Sequence, residues 1–327
     1  MIELRFGSES LSRLRFAISP LTETFRSLRA LDDPGSQAIH LPWAIEARRA
    51  VADLDLRVLL ALLRPHDSYT PDFFAPPPAG RLVDIDDELA AVQAVGAERV
   101  REELREAFGG RPLPHALIPL AERPERGLRE LVELTRAYWD RTLAPHWLRL
   151  RALLAGDITY RARTLADGGA KALFSDIDPC VEWTGETLRL HKVWEESLDL
   201  DERGLLLIPS AFVWPRVVVL LDPAWQPAIL YPARGVSALW EPGARRGPHP
   251  LGKLIGRRRA ALLAALDQPT STTDLAHALE ASAPGISQHL AVLRDAGLVH
   301  PHRVGRTVLY LRTPLGDTVL DAMSANR

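Results

Sequence analysis

Residues 282–299 read SAPGISQHLAVLRDAGLV. Ile286, Leu290 and Leu293 fall at i, i+4 and i+7, the spacing that lines one face of an α-helix. Ser282 suits the N-cap, Pro284 the first turn and Gly297 the stop. Away from the apolar stripe, the start of this helix carries Ala283, Gly285, Ser287, Gln288 and His289. Small side chains let a helix approach a DNA groove, and short polar ones reach base edges. Glutamine can pair with adenine through two hydrogen bonds, while serine and histidine can serve bases or phosphates.

Just upstream, Ser271-Thr-Thr-Asp274 reads as a capping box opening a short helix with Leu275, Ala276 and Leu279. The turn Glu280-Ala-Ser282 joins it to the helix above, which is helix-turn-helix spacing. Downstream, Leu298–Arg303 and Arg306–Leu311 flank Val304-Gly305 as a two-stranded ribbon. Its tip carries Arg303 and Arg306, which suits the phosphate backbone or the minor groove. Arg294 is placed to cap its own helix or to touch phosphate. An amphipathic helix over Leu254–Leu266 precedes this unit, and one with Leu315, Val319, Leu320 and Met323 on one side closes it.

Residues 251–323 resemble the winged-helix domain of ArsR-type bacterial repressors. The resemblance is carried by Arg259–Leu263, Ser271–Ala276, Ile286–Val299, Arg303–Arg306 and Leu311–Gly316. It implies a homodimer pairing through the first and last helices of the winged domain. Operator DNA would be the partner, with reading helices about 34 Å apart, one turn of duplex. Many such proteins sense metal through thiolates on the helix that here reads Asp274-Leu-Ala-His-Ala-Leu279, which has no cysteine. Soft metals need thiolate clusters, so no metal is expected, nor any other cofactor.

Charge divides the chain in the same place. Leu251–Arg327 holds nine basic and six acidic residues, whereas the whole chain carries −2. A mildly basic C-terminal piece on an acidic body is a polarity that calls for an explanation. Between them, residues 240–252 include three prolines and three glycines and read as a linker. The expected domains are therefore 1–239, 240–252 and 253–327.

The first domain is expected to be α+β, with helices followed by an antiparallel sheet. Ser19-Pro20 opens a helix, and helical patterns cover about 43–53, 87–108, 125–142 and 145–166. Gly109-Gly110 and Gly168-Gly169 read as stops, and Pro71–Gly80 as a rigid extended loop. Cys180–Trp183 and Thr187–His191 form a hairpin, followed by strands at Leu205–Ile208, Val217–Leu221 and Ala228–Tyr231. Leu143–Trp147, Gly204–Ser210 and Tyr231–Gly235 also resemble a long N-terminal region of uncharacterised function found in some such regulators.

Composition narrows the classes further. The chain has 327 residues with 46% hydrophobic and 25% charged, ample for a core and unlike a disordered chain. Its single cysteine, Cys180, excludes an internal disulfide and reads as a small buried hydrophobe. The first residues lack a signal-peptide apolar stretch and no run suits a bilayer span, so a cytoplasmic protein without membrane partners is expected. The glycine-rich phosphate loops, H-E-x-x-H and G-x-S-x-G are all missing, and His115, His146 and His191 are too scattered for a metal site. Tyr138, Trp139, Trp147, Trp183 and Trp194 read as core or as the lining of a ligand pocket.

The reading is a non-enzymatic, DNA-binding transcriptional repressor whose first domain dimerises or senses an unidentified small molecule. The alternatives are an enzyme within 1–239 carrying the winged helix as a regulatory part, or a winged helix that binds protein.

Overall fold

The computed structural model describes residues 1–7, 9–63, 70–192, 194–201, 203–240, 250–266, 270–279, 281–304 and 307–324. The chain divides into two compact units, Met1–Trp240 and Glu241–Arg327.

The first unit opens with strands β1 (Ile2–Arg5) and β2 (Arg15–Phe16). Helix α1 (Pro20–Asp32) follows the expected cap, with Thr22 N–H donating to Ser19 Oγ at 2.9 Å. Ser19 also donates to Glu88 Oε1 at 2.6 Å, and Leu21 N–H to Glu88 Oε2 at 2.7 Å. Burial pushes the Glu88 carboxyl up to about 7. The helical layer continues through α2 (Leu41–Ala50), α3 (Arg57–Leu63), α4 (Ile85–Gln93), α5 (Ala97–Ala107), α6 (Ile118–Glu122), α7 (Pro124–Thr142) and α8 (Trp147–Ser175). Phe25, Trp43, Leu62, Phe73 and Tyr138 are central to its core.

Strands β3 (Val181–Trp183), β4 (Thr187–Leu190), β5 (Glu196–Asp199), β6 (Leu206–Ser210), β7 (Val218–Leu220) and β8 (Ala228–Pro232) complete two four-stranded sheets. Their orders are β3-β4-β1-β5 and β2-β6-β8-β7. The expected hairpin is β3–β4, with Val181 opposite Leu190. Both sheets are mixed, however, and not antiparallel: β1–β5, β2–β6 and β6–β8 run parallel. The physical reason is visible in β6, whose five residues are all buried, the mark of an interior strand covered on both faces.

Two helix boundaries also differ from the sequence pattern. The stretch 87–108 is two helices, because the chain turns at residues 94–96 before α5. Gly109 and Gly110 do end α5, with φ of 56° and 74°. Gly168-Gly169 does not end α8. Gly169 kinks it (φ 67°, ψ −170°) and the helix continues to Ser175. Leu150 and Leu154 ahead of the kink pack in the helical core, whereas Leu173 and Phe174 beyond it pack with Ile2, Leu188 and Tyr231 in the sheet core. Serving two cores is what requires the bend. Residues 71–80 form no helix or strand, as expected of a loop, and Phe73 and Phe74 within it are buried.

A buried ionic network fastens α8 to β8. Asp157 Oδ2 accepts from Arg161 Nε at 3.1 Å and from the Tyr231 hydroxyl at 2.9 Å, while Oδ1 accepts from Arg234 N–H at 3.1 Å. A buried carboxylate is tolerated where its lone pairs are filled in this way.

In the second unit, the expected helix 254–266 is two: α9 (Pro250–Ile255) and α10 (Arg257–Ala265), separated by Gly256 at φ 88°. Helix α9 begins inside the stretch read as linker, because Leu251 is fully buried in this unit's core. Then come β9 (Thr270–Ser271), α11 (Thr272–Ala278), α12 (Ala283–Asp295), β10 (Val299–Val304), β11 (Thr307–Arg312) and α13 (Pro314–Ser324). The strands form an antiparallel sheet in the order β10-β11-β9.

Candidate nucleic-acid interface

The site is built on α12. Ile286, Leu290 and Leu293 are buried against Leu262, Leu263 and Leu275, as the i, i+4, i+7 spacing requires. That choice of inner face leaves Ser287 and Gln288 exposed, with His289 half-buried between the two faces. Ala283 at the start is exposed and Gly285 half-buried. Ser282 caps the helix by accepting from Gly285 N–H at 3.4 Å. A Cβ on Gly285 would lie 3.1 Å from that capping oxygen, so the glycine leaves room for the cap.

Helix α11 is held ahead of α12 by its own cap. Ser271 Oγ accepts from Asp274 N–H at 3.2 Å and donates to the Asp274 carboxylate at 2.7 Å. The expected box has the carboxylate reaching back to a backbone amide, whereas here it meets the capping hydroxyl. The first turn is secured either way.

The ribbon β10–β11 keeps one register throughout, from Val299 opposite Arg312 to Val304 opposite Thr307. Arg303 lies one residue from the end of β10 and is exposed. Gly305 and Arg306 at the tip lie outside the described residues. Arg294 is seven residues along α12 from Ser287, about 10 Å at 1.5 Å per residue. Its guanidinium meets Asp295 at 2.8 Å, which raises it further above its ordinary value. The structure thus brings Ala283, Gly285, Ser287, Gln288 and His289 together at one end of α12, and places Arg294 at the other.

The ribbon is anchored by residues that sequence reading passed over. Arg312 Nε donates to Asp317 Oδ1 at 2.7 Å, and its Nη1 donates to the Leu263 carbonyl at 3.1 Å. One side chain therefore joins the end of β11, the first turn of α13 and the last turn of α10. Cations near a helix C-terminus are favoured by the unpaired carbonyls there. Thr313 adds a hydroxyl bond to the Gly297 carbonyl at 2.6 Å and caps α13 through Gly316 N–H at 3.1 Å. The only signal available was the string Arg-Thr-Pro-Leu-Gly itself.

The remaining sequence candidates fall elsewhere. Tyr138 and Trp139 are core residues; Trp183 packs on Phe6 and Phe174; Trp194 is exposed. They do not converge on one pocket. Cys180 is half-buried, and burial with the neighbouring Asp178 pushes its thiol up to about 11, far from a reactive thiolate. Among the described residues no cluster of three metal-ligating side chains occurs, and no helix is long and apolar enough to cross a membrane.

Residues 256–300 match the family described as bacterial regulatory protein, arsR family. Residues 115–237 match a family of unknown function, DUF5937. Over 67 residues the chain is 43% identical to the arsenic resistance transcriptional regulator ArsR1 of Pseudomonas putida, which is 20% of this chain and 52% of that protein. The chain thus spans about half the length of the curated relative it matches. No solved structure matches it.

Proposed function

We propose that this chain, whose last domain is of the arsR type, is a DNA-binding transcriptional regulator that represses by occupying its operator. One observation carries the reading. Ser287 and Gln288 stand exposed on a helix whose opposite face is fully buried, and the helix runs directly into a ribbon bearing Arg303. In this account α12 enters the major groove, Gln288 pairs with an adenine edge, and Ser287 and His289 serve bases or phosphates. Ala283 and Gly285 permit the approach. Arg303 and Arg306 hold the backbone or the adjacent minor groove, and Arg294 reaches phosphate by leaving Asp295.

Two copies pair through the helices at the ends of the winged domain. Leu254 and Leu315 support this, being 72% and 53% exposed where α9 and α13 carry them. The first domain acts as the sensing part, and an unidentified small molecule relieves repression. Soft-metal sensing is not part of the proposal, because α11 carries no cysteine. The protein works in the cytoplasm as a regulator and not as an enzyme.

Selection of duplexes from a random pool by the full chain tests this. The expected result is an enriched site with two-fold symmetry and half-sites about one helical turn apart. A pool that stays random after repeated rounds at low salt contradicts it.

A further inference from the structure

Where the edge of the second sheet meets α8, the first unit opens a cavity of about 400 Å3. That is within the range of roughly 300–1,000 Å3 common to small-molecule sites. Leu14, Phe16, Pro78, Ile158 and Leu206 supply apolar walls, and the short side chain of Ala162 leaves the space open. One wall is fixed by backbone pairing: Ile18 N–H donates to the Arg81 carbonyl at 3.1 Å, and Ile18 bridges Leu82 in parallel.

Two guanidinium groups, Arg15 and Arg81, line the same space, and among the described residues none that lines it is acidic. Arg15 donates to Gln226 Oε1 at 2.7 Å, and Gln226 in turn donates to the Arg203 carbonyl at 2.8 Å. The second bond turns the amide so that its oxygen faces Arg15. A neutral acceptor thus orients the guanidinium without cancelling its charge, and leaves donors for something else. Elsewhere in this unit, arginines commonly meet carboxylates: Arg5 with Asp199, Arg126 with Glu130, Arg141 with Asp53. In a chain with 42 acidic against 40 basic residues, a hollow whose described lining holds two arginines and no acid is a positive site in a slightly negative molecule.

We propose that this cavity is the effector site and that it takes a carboxylate carried on a hydrophobic body. The body lies on Phe16, Ile158 and Leu206, and the carboxylate accepts charge-assisted bonds from Arg15 and Arg81. The inference rests on the reading of the first domain as the sensing part of a regulator. It also explains how occupancy reaches the scaffold, because Ile158 and Ala162 flank Asp157 and Arg161, the pair that fastens α8 to β8.

The test is isothermal titration of the full chain, without DNA, using 4-phenylbutyrate, 4-phenylbutanol and 4-phenylbutylamine. These probes share a body and differ in the charge of the end group. The carboxylate is expected to bind saturably at one per chain, the alcohol at least tenfold more weakly, and the amine more weakly still. Replacing Arg15→Gln and Arg81→Gln together lowers carboxylate affinity to that of the alcohol and leaves the alcohol unchanged. Both arginines are exposed, so the double variant keeps its unfolding midpoint; Arg81→Gln alone gives a partial loss. Ala162→Trp fills the space and abolishes binding of both probes. Equal binding of the three probes, no binding at millimolar concentration, or a carboxylate affinity indifferent to the arginines overturns the proposal. Since no DNA is present, such a failure leaves operator reading standing, and a failed duplex selection leaves this titration intact.

Discussion

Trp240 donates its indole N–H to Nδ1 of His40 at 2.7 Å. Nδ1 therefore carries no proton, and the proton on Nε2 is directed to the Ala211 carbonyl at 3.0 Å. The ring is stacked on Phe212, with centroids 4.2 Å apart. A fully buried, neutral histidine thus fixes the last residue of the first unit.

Burial lowers His40 to about 4, from an ordinary 6.5, against the opposing pull of the Ala211 carbonyl. Protonation would place two donors where Trp240 needs an acceptor. The unfolded chain takes up its proton first as pH falls, so stability associated with His40 is complete above pH 6.5. It is lost as pH falls toward 4, by at most about 3 kcal/mol. His40→Gln removes this titration and keeps a donor toward Ala211. Urea unfolding at pH 7, 5.5 and 4.5 is expected to show the wild type losing more stability than the variant over that interval. Parallel losses would mean that His40 is not held neutral.

Arg312 joins three elements of the winged domain through Asp317 and Leu263. Arg312→Ala removes a charge-assisted bond and a helix C-terminal cap, and is expected to destabilise the domain by about 1–3 kcal/mol. Arg312→Lys recovers only part, because a single ammonium cannot match the fork of donors. Denaturant unfolding followed on the full chain measures both. An unchanged midpoint for Arg312→Ala would show the contact to be incidental.

Gly316 is fixed by proximity. A Cβ built there would collide with the Leu298 carbonyl oxygen, a backbone atom that cannot step aside. Gly316→Ala is therefore expected to destabilise by about 1–3 kcal/mol, within the range of overpacking. It would also disturb the junction between the end of α12 and the start of α13. Thermal unfolding checks it, and a midpoint within a degree of the wild type would refute the close approach.

How much of this was legible in the sequence differs by element. Helix α12 could be read because its cap, its stripe and its glycine stop are all local, and the ribbon because it alternates around a glycine. Strand direction could not be read from period two, which records faces and not partners. The unbroken apolar run Leu205–Ile208 nevertheless hinted at an interior strand. Gly168-Gly169 reads as a helix stop and Gly256 as the interior of one helix, but Gly169 bends a helix between two cores and Gly256 separates two helices. Arg312 was invisible, since its partner carbonyl at Leu263 is 49 residues away and no local pattern encodes it. The pairing of Gln226 with Arg15 is more distant still, at 211 residues.

In the proposed function, Arg303 and Arg306 hold the DNA backbone or the adjacent minor groove. Arg306→Ala is expected to weaken binding to all duplexes alike and to lower the slope of log affinity against log salt by about 1. Titrations at several salt concentrations read this directly. An unchanged slope would remove the ribbon from the phosphate contacts.

The most direct test of base reading by α12 is a paired titration of the wild type and Gln288→Ala, as full chains, on the selected duplex and on a scrambled one. Gln288 is exposed, so its loss leaves the fold intact. The expected result is a loss of about 1–3 kcal/mol on the selected site alone, with binding to the scrambled duplex nearly unchanged. Equal losses on both duplexes, or none on either, would contradict the account.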